Sequence, residues 1–460
     1  MTARSGGSVH PSPPFPDRSL PPGTRARAAH LAGSIVGLVN KLVGLDALDN
    51  PARFQVDHDL LDAHLLLPYV IAAANHLPPP VAAAEPVAAP GGGWVMVDIG
   101  PDDASTWTTL QAVLADEVSA GASPPDAEHL ACRAQEWRLA VTPYRLGTAA
   151  TSSEPSARRV TAGKQSGPGH HVDVPRPAAS SPDRPLEGVR IIDLTAMWAG
   201  PLATWLAATL GADVIKIEAA CRRDGFRNSP RPATAGPGDG CLFVALNHGK
   251  THAELDLRLP SDHEQFRELV NSADIVVDSF SPRVRPNLDI AVDRLASWRP
   301  GLIDLSLTAF SPLGAHADWV AYGGGVHATS GLAFPTGITG EAEMARSAPR
   351  PTPVPYADPL AGLEVLLALL GALIRRRGGG PGPWRIECSL EQAVAPLVGV
   401  VAHVLGEARL GGRASTEDRT SGQELESWAT WAALRTVVAD GCAVLRTPLL
   451  RDHSQTERSP

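Results

Sequence analysis

Hydrophobic positions fall into two regimes along the chain. Between 31 and 75, Leu31, Ile35, Leu38, Val39, Leu42 and Val43 recur at helical spacing, and HLPPPVAAAEPVAAPGG at 77–93 breaks the pattern. GGWVMVDIGPDDASTWTTLQAVL then predicts a strand at Val95, Met96 and Val97, a polar turn, and a helix with Asp102 or Asp103 as its cap. A helix over about 126–138 and a short apolar stretch at Leu139–Val141 follow. Residues 149–184, rich in Ser, Pro, Arg, Gly and Ala, read as an inter-domain linker.

From 185 the character changes. GVRIIDLT predicts a β-branched strand, and AGPLATWLAATLGA a helix opened by Gly200-Pro201 and stopped by Gly211. DVIKIEA, HAELDLR, DIVVDSF and LIDLSLTAF are further strands, with DHEQFRELVNSA and AVDRLASW as helices between them. A Gly-rich segment (322–339), a polar loop (340–356), a helix over about 359–377 and the strand WRIECSL complete the series. Strands alternating with helices predict an α/β fold, a Rossmann-like parallel sheet with helices on both faces. The expected division is a disordered tail (1–30), a smaller α/β or α+β domain (31–148), the linker (149–184), the large domain (185–405) and a polar C-terminal segment (406–460).

Composition acts mainly by exclusion. The 460 residues are 43% hydrophobic, enough for a sizeable core, and carry a formal net charge of -9 with no basic stretch that would suggest nucleic acid. No run reaches the roughly 18 apolar residues of a membrane span, and Leu363–Ile374 reads as a buried helix. The N-terminal stretch lacks the apolar segment of a signal peptide, so a cytoplasmic protein without a membrane partner is expected. Cys132, Cys221, Cys241, Cys388 and Cys442 form no C-x-x-C and have no His cluster beside them, so free thiols are expected, with neither a disulfide framework nor a metal site.

Two places carry chemistry. Ala199, Gly200 and Pro201 open a helix after a strand, where backbone N–H groups favour an anion; without G-x-G-x-x-G spacing, NAD is not supported. Asp358 precedes a long apolar helix with Pro359 behind it, which read locally is a helix N-cap.

Taken together, the segments resemble family III CoA-transferases and their racemase relatives. PLEGVRIIDLT, AGPLATWLAATLGADVIKIE, FVALNHGKTHAELDLR, ADIVVDSFSPRV, RPGLIDLSLTAFSPLG and YADPLAGLEVLLALLGALIRRRGGGPGPWRIECSLEQAV stand in family order over roughly 210 residues. The resemblance implies that Asp358, in PVPYADPLAG with Gly362 four residues on, is the nucleophile that carries CoA as an aspartyl-CoA thioester. It implies CoA contacts at Met197, Trp198, Ala199 and Gly200, at Arg227, at Leu255 and Leu257 around Asp256, at Ser279 and Phe280, and at Tyr322. Coenzyme A or acyl-CoA would be a substrate, with a carboxylic acid as second substrate and no permanently bound cofactor. The assembly implied is a homodimer, or a heteromer with a paralogue.

The chain departs from the family pattern in several places. Trp198 stands where transferases often carry a polar side chain, Ala219 follows Glu218 where a base is common, and Asn287 replaces an Arg for which Arg283 or Arg285 could substitute. Tyr322 stands where the racemases place His, with His316 and His327 nearby, which favours transfer over racemisation. No small domain fits after 405; GGWVMVDIGPDDASTWTTLQAVL and AEHLACRAQEWRLAVTPYR resemble small-domain segments placed ahead of the large domain. Three readings stay open: a CoA-transferase, degenerate or not; a racemase or epimerase of α-substituted acyl-CoA; and a non-catalytic paralogue that binds CoA or a full-length partner subunit.

Overall fold

The structure, a computed structural model, describes residues 24–42, 54–56, 58–77, 86–145, 161–162, 184–333, 348–349, 351–352, 354–378, 384–397, 436–439, 442–445 and 450–452. The expected N-terminal tail to residue 23, most of the linker, and 406–435 of the C-terminal segment lie outside them.

Three helices come first: α1 (Thr24–Leu42), α2 (His58–Leu65) and α3 (Leu67–Ala74). An antiparallel three-stranded sheet follows, β1 (Val87–Ala88), β2 (Trp94–Val97) and β3 (Val141–Pro143), with α4 (Ala104–Ser119) and α5 (Ala127–Glu136). The large domain contains β4 (Arg190–Leu194), α6 (Ala199–Thr209), β5 (Asp213–Glu218), α7 (Cys241–Asn247), β6 (Thr251–Glu254), α8 (Pro260–Asn271), β7 (Ile275–Asp278), α9 (Val292–Trp298), β8 (Ile303–Thr308), α10 (Gly323–Ser330), α11 (Ala357–Arg377) and β9 (Trp384–Ser389).

The six large-domain strands are parallel and ordered β6-β5-β4-β7-β8-β9, the doubly wound arrangement in which order reverses between the first and fourth strands. All four residues of β7 are buried, as a central strand covered on both faces requires, whereas β6 at the edge is mostly exposed. Successive residues point to opposite faces. Ile191, Val277 and Leu305 pack with α6 and α11, and Ile192, Ile217 and Val276 with Phe266 and Val270 of α8. The predicted α/β sheet with a smaller antiparallel region is therefore the fold.

Several sequence expectations are corrected. The 31–148 stretch does not act as one unit: Leu31, Ile35, Leu61 and Ile71 join the core around α6 and α11, while 86–145 form a separate module around Val95, Leu110, Leu114, Leu130 and Val141. Thr161–Ala162, inside the expected linker, adds an antiparallel edge strand to β9. In the expected polar C-terminal segment, Thr436–Ala439 and Cys442–Leu445 pair as a hairpin, and Leu450–Asp452 pairs with Phe54–Val56. Cys241 and Cys442 are not free thiols but form a disulfide, their Cα atoms 5.4 Å apart. α11 has 21 residues, long and apolar enough by length and composition to cross a membrane, yet it is packed inside the core.

Candidate active site

The reversal point of the sheet sits between β4 and β7, and the segments leaving their C-terminal ends meet there. Ala196 N–H donates to Ser279 Oγ at 3.0 Å, which joins the two halves of the expected CoA site. The neighbouring amides are also tied by side chains: Thr195 N–H donates to Asp193 Oδ1 (2.9 Å) and Met197 N–H to Asp224 Oδ2 (3.1 Å). Met197 takes φ 68°, a left-handed conformation uncommon outside glycine, so these bonds hold a strained turn at the mouth of α6.

Beneath the turn lies a buried ionic network. Lys250 Nζ contacts Asp193 Oδ2 (3.0 Å), Thr204 Oγ1 (2.8 Å) and Asn247 Oδ1 (2.8 Å); Lys216 Nζ donates to the Thr195 carbonyl (2.7 Å) and pairs with Asp224. Burial alone would raise the Asp193 carboxyl, but Lys250, Lys216 and the Thr195 and Thr204 hydroxyls hold it well below the usual carboxylate range. Sequence reading missed this network, since Asp193, Lys216 and Lys250 come from three separate segments of the large domain.

Asp358 lies in the first turn of α11. The N-cap position belongs to Tyr356, which corrects the local reading of Asp358 as the cap. A Cβ on Gly323, the first residue of α10, would overlap Asp358 Oδ2, so the carboxylate sits against the N-terminus of that helix. Gly362, one turn along α11, faces α6: a methyl there would come within 2.8 Å of the Ala199 carbonyl oxygen. One close approach seats α10 against the Asp358 carboxylate, and the other seats α11, one turn along, against the start of α6. The carboxyl group is enclosed although the residue keeps some exposed surface. Burial, then the negative charge of Asp98, push it up to about 7, against a partial offset from its own backbone N–H.

Asp98 follows β2 and is itself pushed up to about 6 by burial. It reaches the site because the 86–145 module docks on α10. Thr142 Oγ1 donates to the Gly325 carbonyl (3.2 Å), Arg145 N–H to the Ala328 carbonyl (2.9 Å), and the Gln135 side chain exchanges two hydrogen bonds with the backbone of Val320 (2.7 and 2.8 Å). Met96 and Tyr144 pack on Ala328 and Ala333. The 86–145 module thus packs on α10 and brings the charge of Asp98 to bear on Asp358.

The other expected contacts are distributed unevenly. Tyr322 N-caps α10 and is half exposed beside the site. Trp198 is buried, and its indole N–H has no hydrogen-bond partner among the described residues. Arg227 is committed within the chain, pairing with Glu218 and Asp239 and stacking on Phe243 with its guanidinium 3.7 Å from the ring centre. Leu255 and Leu257 are buried with Ile217 and Phe266, and Phe280 packs on the same cluster. Arg285 is buried between Asp278 and Asp304, so it is a structural ion pair and no substitute for the missing Arg; Arg283 is exposed. Among the described residues, no cluster of His, Cys, Asp and Glu side chains could hold a metal ion.

A doubly wound sheet with an enclosed carboxylate at a helix start and a cradled turn at its reversal point defines the class: an α/β protein with a buried acidic group beside its sheet. The chain matches CoA-transferase family III over residues 186–447, and it belongs to that family. It is 32% identical over 217 residues to the formyl-CoA:oxalate CoA-transferase of Rhodopseudomonas palustris, covering 47% of this chain and 48% of that one. It is 30% identical over 213 residues to the enzyme of the same name from Escherichia coli, covering 46% and 49%. The chain thus spans about half the length of these curated relatives. A CAIB/BAIF family protein from Brucella suis is similar over 51% of this chain and 59% of its own, with 28% identity and a TM-score of 0.41.

Proposed function

We propose that the chain moves CoA from an acyl-CoA thioester to a carboxylic acid, with Asp358 as the nucleophile. The observation that carries this is the seating of its carboxylate against Gly323 at the start of α10. Two helix starts converge on the carboxylate, and their N–H dipoles favour negative charge on it and on an oxyanion formed beside it.

The steps balance without a cofactor. The Asp358 carboxylate attacks the thioester carbonyl, the tetrahedral oxyanion collapses, and CoA leaves as the thiolate, giving an acyl-aspartyl anhydride. The thiolate then attacks the aspartyl carbonyl, releasing the donor acid and leaving an aspartyl-CoA thioester. The acceptor carboxylate attacks that thioester and expels the thiolate again. The thiolate finally attacks the acceptor's carbonyl, producing the new acyl-CoA and free Asp358. The anhydrides must be kept from water, and the 86–145 module docked on α10 is suited to that work.

Met197, Trp198, Ala199, Gly200, Ser279 and Tyr322 are the CoA contacts this reading retains most directly. Arg227 would act from the loop after the second strand, Leu255 and Leu257 from that after the third, and Phe280 from that after the fourth. The working assembly it carries forward is a homodimer, or a heteromer with a paralogue. Racemisation is disfavoured by one observation: both ring nitrogens of His327 are already hydrogen-bonded, so it is not a free base for an α-proton.

The test is to incubate the protein with an acyl-CoA panel and hydroxylamine and to map the product by mass spectrometry. A hydroxamate at Asp358 is expected, and Asp358→Ala should abolish it while CoA still binds by calorimetry. CoA binding without a hydroxamate in the wild type would favour the non-catalytic paralogue. Deuterium uptake at the α-carbon in heavy water would favour the racemase.

A further inference from the structure

The mechanism uses Asp358 but leaves a buried histidine beside it unassigned. His327 lies one turn after Gly323 on α10 and is 1% exposed. Its Nε2 accepts the backbone N–H of Ala357 at 3.1 Å, and its Nδ1 is 2.7 Å from Thr352 Oγ1. Ala357 is the first residue of α11 and the immediate neighbour of Asp358. The first amides of a helix have no partner within it, so His327 satisfies one of the groups that α11 leaves open.

These two bonds set the tautomer. A nitrogen that accepts from Ala357 carries no proton, so the proton sits on Nδ1 and is donated to the Thr352 hydroxyl. An imidazolium could not make the Ala357 bond. Burial keeps the ring neutral, pushing it down to about 3, and the ring stacks on Tyr356 with centroids 5.6 Å apart. The same short helix therefore meets Asp358 twice, through the bare Cα of Gly323 at the carboxylate and through His327 at the backbone one residue before it.

We propose that His327 is a positioning residue: it clamps the first turn of α11 between Thr352 and Ala357 and so fixes the Asp358 carboxylate against Gly323. The inference rests on the CoA-transfer reading for its consequence in catalysis, but its geometric content does not. Gln can reproduce one acceptor and one donor at this position, while Leu fills similar space and reproduces neither.

The experiment compares wild type, His327→Gln and His327→Leu in two assays. In the first, the rate of hydroxamate formation at Asp358 is followed at saturating acyl-CoA. His327→Leu is expected to lose about 100-fold, the scale of a misplaced reacting group, with KM unchanged, and His327→Gln to recover most of it. In the second, carbodiimide-driven coupling of glycine ethyl ester to Asp358 reads the placement of the carboxyl without any acyl-CoA. The coupling rate should change in His327→Leu and match wild type in His327→Gln.

Unchanged coupling in His327→Leu, or equal losses in the Leu and Gln variants, overturns the clamp. A wild type that forms no hydroxamate overturns the CoA-transfer reading instead, and the coupling assay then decides the clamp by itself.

Discussion

The Asp358 carboxylate rests against the Cα of Gly323, in space that any side chain at 323 would fill. Gly323 has an ordinary helical backbone, so Ala would be tolerated there in conformation and refused only by overlap with the carboxylate and with Pro355 Cβ. Gly323→Ala should keep the fold and CoA binding while lowering hydroxamate formation at Asp358 by about 100-fold or more. Circular dichroism and calorimetry, set beside the rate, check both halves of that expectation.

The titration of Asp358 carries two consequences with opposite readouts. Its folded-state value, about 7, lies above the ordinary 3.8. Stability from this group is thus fully present below about pH 4 and is lost as pH rises through 7, while the ionised nucleophile is gained over the upper part of that range. Asp358→Asn should therefore raise the melting temperature more at pH 8 than at pH 4. The wild-type rate should climb through neutrality.

Asp98 contributes to that value by like charge, after burial. Asp98→Asn should move the rise in rate with pH to lower pH, because ionising Asp358 no longer places a second negative charge beside the first. A pH–rate profile that coincides with wild type would remove Asp98 from the site.

Lys250 and Asp193 are both fully buried and bonded to one another. Lys250→Met strands the Asp193 carboxylate, and a loss of about 3–5 kcal/mol is expected in urea unfolding. Adding Asp193→Asn should recover part of it, since the uncompensated charge is gone.

Gln135 ties the 86–145 module to Val320. Gln135→Ala should loosen that docking and let water reach the anhydride, lowering the ratio of CoA transfer to acyl-CoA hydrolysis. Product analysis at matched turnover measures the ratio.

The order of strands and helices in the large domain was legible because period-two and period-3.6 patterns alternate cleanly from Val189 to Ser389. The role proposed for Asp358 came only through resemblance; its local sequence looks like a cap, and the helix in fact starts one residue earlier, at Ala357. What stayed hidden is pairing at long range. Nothing in Cys241 or Cys442 announces a partner 201 residues away. The apolar stripe of α1 shows that it is buried but not that it packs on α11 rather than on the 86–145 module. Gly323 stood out only as part of a Gly-rich segment and His327 only as a histidine near the racemase position, and what each does depends on the groups set opposite it.

The docking of Thr142 on Gly325 joins residues 183 positions apart. At roughly 5–20 residues per second, the 86–145 module leaves the ribosome about ten to forty seconds before the helix it will sit on. Throughout that interval Met96 and Tyr144, buried in the finished molecule, lack the Ala328 and Ala333 side of their cluster. The module's own small core of Val95, Leu110, Leu130 and Val141 must hold its shape during the wait, so changes there should reduce the yield of folded protein before they affect its activity.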